Sequence, residues 1–246
     1  MRYSRSFQVF RMIFRERYRE PTLELVLPTM LVANIFLNAY YERSGFQLLG
    51  IVLAFVPIIS VSETLAFAIG FRNIVYVTGD HIYKGGIISF ITTPISRSKI
   101  FLYIYISDVI IPLIFWLLTT LAYATMAGIS IPPLVLLTFI VGYFFSENII
   151  FTLTLTLRSP GIITLASLFV IGGIFIFGGI GLYYLLLKRS IEELYLLSFM
   201  NPYLLWIGQA EGGKFMPIII SGITADALIA IALFVSSFMI FRRLEL

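Results

Sequence analysis

Cysteine is absent from the 246 residues, and histidine occurs once, as His81. Disulfides, thiolate chemistry and Cys-based metal sites are therefore excluded, and so is a His-rich metal centre. Charge is scarce as well. Only 12% of the residues are Asp, Glu, Lys or Arg, against roughly 25% in a soluble domain whose surface meets water. With 59% hydrophobic residues and a mean hydropathy of +0.99, the surface is built to meet lipid. The net charge of +4 is too small to point to nucleic acid. No Ser/His/Asp set, metal cluster or HExxH stands in the sequence, so catalytic machinery is not expected on this chain.

What is present is long apolar runs. A helix rises about 1.5 Å per residue, so a hydrocarbon core of about 30 Å takes about 20 apolar residues. Six stretches qualify: Leu23–Tyr41, Gln47–Gly70, Ile100–Ala127, Pro133–Leu157, Ile162–Leu187 and Pro217–Phe241. They predict an all-α integral membrane protein with about six transmembrane helices, one transmembrane domain over 1–246. The third stretch contains Asp108 and Pro112, which predict a tilt, a kink or a late start. The Arg-rich N-terminus runs into the first stretch without a small-residue cleavage site, so that stretch is expected to stay as a signal anchor.

Orientation follows from Lys and Arg near the span ends. With the N-terminus inside, thirteen cations lie in inner segments: Arg2, Arg5, Arg11, Arg15, Arg17, Arg19, Arg72, Lys84, Arg97, Lys99, Arg158, Arg242 and Arg243. Four lie outside: Arg43, Lys188, Arg189 and Lys214. The bias predicts both termini in the cytoplasm and a multi-pass protein of the plasma membrane. Two connections are long, an inner one over 71–99 and an outer one over 188–216.

Residues 6–19 form an amphipathic pattern. At 100° per residue, Phe7, Phe10, Ile13, Phe14 and Tyr18 share one stripe, with Gln8, Arg11, Arg15 and Arg19 opposite. A basic helix of this kind suits the inner membrane surface, where anionic lipid attracts Arg.

Gly208-Gln-Ala-Glu-Gly-Gly213-Lys214 matches the G-x-x-x-x-G-K spacing of a phosphate-binding loop. Phe215 follows in place of the Ser or Thr that would bind magnesium, and no strand precedes it. A glycine-rich turn into the last span is the better reading. Glu63, Asp108, Glu147 and Asp226 fall within spans, where a charge costs roughly 2.5–3.5 kcal/mol or more. Counted from Arg72, Lys99 and Arg158, the first three lie about 13–17 Å from the inner interface. Three acids at one depth predict a vestibule, a substrate path or a cation site; the plainer alternative is interhelical hydrogen bonding to Ser, Thr or Tyr. No Lys or Arg is expected within the spans to pair with them. The fifth span carries Gly172, Gly173, Gly178, Gly179 and Gly181, which read as close helix packing or as a hinge.

In the inner connection, Lys84 to Ile91 is expected to make two helical turns with an apolar face at Ile87, Ile88, Phe90 and Ile91. Pro94 blocks continuation, and Ser96 to Lys99 restarts a helix. Such a short apolar-faced helix suits docking into a partner's groove.

The stretch Gly86-Ile-Ile-Ser-Phe-Ile-Thr-Thr-Pro-Ile-Ser-Arg97, followed directly by a span, resembles the signature of ABC-2 type transporter permeases. So does the order of a basic amphipathic helix, six spans and a long outer connection. There Leu197-Ser-Phe-Met-Asn-Pro-Tyr-Leu-Leu-Trp206 is similar to the family's segment before its short re-entrant outer helices. The resemblance implies the membrane subunit of an ATP-binding-cassette exporter, paired with a second permease copy or paralogue. It implies an ATPase partner, holding ATP and Mg, docked on a coupling segment containing Tyr83, Lys84, Ile87, Ile88, Phe90, Ile91, Pro94 and Arg97. The interface helix with Phe7, Phe10, Arg11, Phe14 and Arg15 would lie beside it. The acids Glu63, Asp108 and Glu147 are not a general feature of that family, and they stand as a candidate substrate path by their own depth in the spans. The alternatives from the residues are a gradient-driven transporter or channel using those acids, and a membrane anchor or assembly subunit.

Overall fold

In a computed structural model of the chain, residues 5–19, 28, 29, 32, 63–126, 128, 131–157, 159–188, 190–210 and 214–244 are described below. They are helical throughout, with turns between helices and no strand among them. Most of the predicted spans Leu23–Tyr41 and Gln47–Gly70 lies outside the described residues.

Helix α1, Arg5–Arg17, is the amphipathic element. Helix α2 is described over 63–83. It contains a π-helical segment, Arg72–Thr78, and ends with Gly79–Tyr83. Helix α2 thus runs through most of the first half of the expected 71–99 connection. Gly85, at φ +74°, ends it in the left-handed conformation that glycine adopts without penalty. The Ile87 amide then bonds back to the His81 carbonyl at 3.0 Å, folding the chain over the helix end. The two turns expected over Lys84–Ile91 are therefore one: Lys84 caps α2, and only Ile88–Ile91 is helical, as α3.

Four described helices are long and apolar enough to cross a membrane: α4 (Arg97–Met126), α5 (Pro133–Leu157), α6 (Pro160–Lys188) and, last in the chain, α9 (Met216–Arg242). Between α6 and α9 lie two short helices, α7 (Ile191–Leu197) and α8 (Pro202–Ala210). Proline sets many of these starts, since its missing N–H costs nothing in the first turn. Pro133, Pro160 and Pro202 begin α5, α6 and α8, and Pro217 stands in the first turn of α9. At α8 the cap is complete: Asn201 Oδ1 accepts the Leu204 amide at 3.3 Å.

Helix α5 is the central element, with 67% of its most apolar window buried, against 17% for α6. It packs most extensively on α9. Polar side chains tie that pair: Asn148 Nδ2 donates to the Ala230 carbonyl at 3.0 Å, and Thr152 meets Ser237 at 2.9 Å. Beside them an aromatic cluster joins α4, α5 and α9, with Tyr105–Phe234 at 4.7 Å, Phe101–Phe238 at 5.3 Å and Phe101–Phe151 at 5.5 Å. Such tilted and edge-on pairs add to the plain gain from burial.

The glycines of α6 divide by role. Gly178, Gly179 and Gly181 face Met200, Asn201 and Leu197, whereas Gly172 has no neighbour there. The turn after α7 lies so close to Gly178 that a Cβ there would collide with the Met200 side chain. Packing thus accounts for the second half of the glycine run. Asn201 Nδ2 adds a bond to the Phe175 carbonyl at 3.3 Å, so the residue that caps α8 also fastens it to α6.

Candidate functional site

The apolar stripe of α1 is buried against protein. Ile13 and Tyr18 are buried, the Phe10 ring lies 5.4 Å from that of Tyr103, and Tyr18 lies 6.4 Å from Phe115. Ser6 hydrogen-bonds the Tyr103 hydroxyl. Phe7 remains half exposed, Phe14 partly so, and Arg11, Arg15 and Arg19 face outward.

On the helical projection Arg17 falls on the apolar stripe, four residues after Ile13, and there it does what the sequence reading did not foresee. Its Nε donates to Asp108 Oδ1. Its Nη2 donates to Thr78 Oγ1 at 2.7 Å, and Thr78 donates in turn to Asp108 Oδ2 at 2.6 Å. Arg17 and Asp108 are 1% and 0% exposed. The expectation that no Arg would reach the buried acids is corrected. A guanidinium entering from α1 takes Asp108, because its long apolar stem can follow the stripe inward. Asp108 consequently has both oxygens occupied.

This triad joins two irregular helix segments. Thr78 closes the π-helical stretch of α2, and Asp108 lies in the middle of a second one, Ile106–Ile110 in α4. Pro112, just beyond, has no N–H for the preceding turn, which is a common origin of such widening. The disturbed turn's carbonyls find other donors. Tyr18 donates to the Ser107 carbonyl at 2.7 Å, and Tyr143 of α5 donates to that of Val109 at 2.8 Å. Arg72 reaches the Arg17 carbonyl at 3.0 Å and Asn73 Oδ1 at 2.9 Å, and Asn73 donates to the Tyr18 hydroxyl at 3.3 Å. Burial pushes the Tyr18 phenol well above its ordinary range, so it stays a donor. Three helices are thus locked by one polar network.

At the outer edge of α1, Glu16 bonds His81 Nε2 at 2.6 Å. The hydrogen bond from His81 is the main reason that the Glu16 carboxyl sits below its ordinary value. The His81 ring packs edge-on against Phe90 of α3 at 5.6 Å. Met12, Arg15, Glu16, Arg19 and Phe90 then line a groove of about 590 Å³ between α1 and α3. Of the other connection residues, Ile87 is buried and Phe90 half buried. Tyr83, Ile88, Pro94 and Arg97 are exposed, and Lys84 pairs with Asp80 at 2.9 Å. Ile91 belongs to α3. Arg97 donates to the carbonyls of Arg242 and Leu244, both at 3.1 Å, satisfying the free C-terminal end of α9.

The remaining acids differ from Asp108. Glu147 on α5 is wholly buried, and neither of its oxygens has a hydrogen-bond partner among the described residues. Its carboxyl occupies the space where a Cβ on Gly70 would stand. Glu63 instead opens on a cavity of about 340 Å³ between α2, α5, α6 and α8. Asp226, on α9, has one oxygen without a partner among the described residues. The three acids predicted at one depth therefore occupy three different settings, and Asp108 is absent from the cavity that Glu63 lines.

Gly208, Gln209 and Ala210 end α8, and Gln209 accepts the Phe215 amide at 2.8 Å. No protein-family model matches the chain, and neither a curated protein nor a solved structure is significantly similar to it.

Proposed function

We propose that the chain is the membrane subunit of an ATP-driven exporter of the ABC-2 type, with six spans, both termini cytoplasmic, and hydrolysis on a separate ATPase. The observation that carries the reading is the groove between α1 and α3. Its basic and apolar walls come from two elements that the sequence marks independently, and Glu16 and His81 hold them together. A partner helix or loop seated there would press on α1, and Arg17 would pass that force to Asp108 and Thr78 in the spans. Rigid coupling through a packed polar network is what a transport subunit needs if its energy arrives from outside. The exposed Ile88 and Tyr83 beside the groove suit an apolar contact with that partner. The working unit is then two such permeases on two ATPase subunits, ATP and Mg being held by the latter.

The test is a mild-detergent pull-down of the tagged chain from its native membrane, followed by protein identification and an ATP hydrolysis assay. Co-purification of an ATPase in near-equal amount, lost on Ile88→Asp, is expected. A chain that purifies alone and without hydrolysis removes the reading. It would favour a gradient-driven transporter instead, for which the unpartnered Glu147 is the specific support.

A further inference from the structure

The cavity bounded by α2, α5, α6 and α8 has an unusual wall for the interior of a helical bundle. Glu63, Thr64 and Ser146 form its polar side, and the rings of Phe67, Tyr143, Phe175 and Tyr203 form most of the rest. Among the described residues, no Lys, Arg or His lines it. A carboxyl facing aromatic rings in a space of about 340 Å³ suits a positively charged group, because carboxyl oxygens and π faces both attract one.

The rings are held before any ligand arrives. Tyr143 is fixed through its hydroxyl to the Val109 carbonyl. Tyr203 lies between Phe139 at 4.6 Å and Phe175 at 6.1 Å, and its hydroxyl rests where a Cβ on Gly142 would be. Asn201 fastens the helix that carries Tyr203. A preformed wall spares the ligand the cost of ordering side chains. Glu147, next in the chain to Ser146, places a second acidic group within electrostatic reach of Glu63. A zwitterionic head group such as phosphocholine would bring a phosphate that no cation among the described lining residues receives.

We propose that this cavity binds a compact organic monocation, an amine or quaternary ammonium, between Glu63 and the four rings. The proposal deepens the transport reading by naming a substrate class, and it rests on that reading for passage across the membrane. Binding itself involves this chain alone, so it is tested apart from any ATPase.

The experiment is equilibrium binding of radiolabelled benzyltrimethylammonium to the purified chain in non-ionic detergent, with neopentylbenzene, its neutral isostere, and phosphocholine as competitors. Saturable binding at one site per chain is expected. Glu63→Gln should weaken it at least ten-fold, Phe175→Ala should weaken it too, and Asp80→Asn, on the surface, should leave it unchanged. Neither competitor should displace the probe at matched concentration. Absence of saturable binding, equal displacement by neopentylbenzene, or full affinity in Glu63→Gln overturns the proposal. Displacement by phosphocholine overturns it in favour of a lipid head group. The isostere comparison uses the unaltered protein and so decides the matter even where a variant fails to fold. A protein that binds the cation but captures no ATPase keeps the site and loses the exporter reading; the reverse outcome keeps the exporter and loses the site.

Discussion

Arg17 and Asp108, 91 residues apart in sequence, form an ion pair closed to solvent, with Thr78 bonded to both. The pair makes α1 part of the bundle. A helix that an amphipathic pattern alone would lay on lipid is held by a charge reaching inward.

Breaking one half of such a pair strands the other in a low-dielectric interior, at about 3–5 kcal/mol. Arg17→Met and Asp108→Leu should each lower thermal stability in detergent by that order. The double variant Arg17→Met/Asp108→Leu should recover most of the loss, since an apolar pair leaves no stranded charge. Additive losses in the double-mutant cycle would mean that the two side chains contribute separately.

The turn after α7 is wedged between α6 and α9. A Cβ on Gly178 would meet the Met200 side chain, and one on Gly222 would stand 2.6 Å from the Ser198 carbonyl oxygen. Gly178→Ala and Gly222→Ala should therefore each cost about 1–3 kcal/mol by overpacking. Gly172→Ala, with open space around it, should be neutral or slightly stabilising. Melting of the three variants side by side checks this, and equal melting would remove the close packing of α7 and α8.

The Glu16 carboxyl lies below its ordinary value of 4.5 because His81 hydrogen-bonds it. A group whose folded value is lowered adds stability above its unfolded value and loses it as pH falls through the folded one. The hold of α1 on the α2–α3 corner should therefore weaken on acidification below about pH 4.5. A spin label at the exposed position 11 would report this as rising mobility. Glu16→Gln should be mobile throughout and lack that acid transition; an unchanged transition would assign it to another group.

Much of the helical scaffold was legible because its cues are local. Hydropathy located α4, α5, α6 and α9 and placed their ends to within a few residues. The amphipathic period of residues 6–19 identified α1 and its outward Arg11, Arg15 and Arg19. The one overlooked signal was also local. Arg17 sits on the apolar stripe, where a cation needs a buried partner, and Asp108 was the acid waiting for it.

The remainder was decided by contacts between distant segments. Glu63, Asp108 and Glu147 are alike in sequence, each an acid in an apolar run counted from a nearby cation. Only the folded chain gives Asp108 a guanidinium, Glu63 an aromatic cavity and Glu147 no hydrogen-bonding partner among the described residues. The π-helical segment of α2 is likewise bonded to Arg17 and Tyr18 from a distant segment, and the chain folds back after Gly85 to leave α3 one turn. By itself the sequence determined that the described chain is helical and that four of its segments suit a bilayer, because hydrophobic length and backbone satisfaction are properties of single segments. Only the tertiary structure decided what each buried acid faces, because a partner's chemistry depends on which helix is brought beside it.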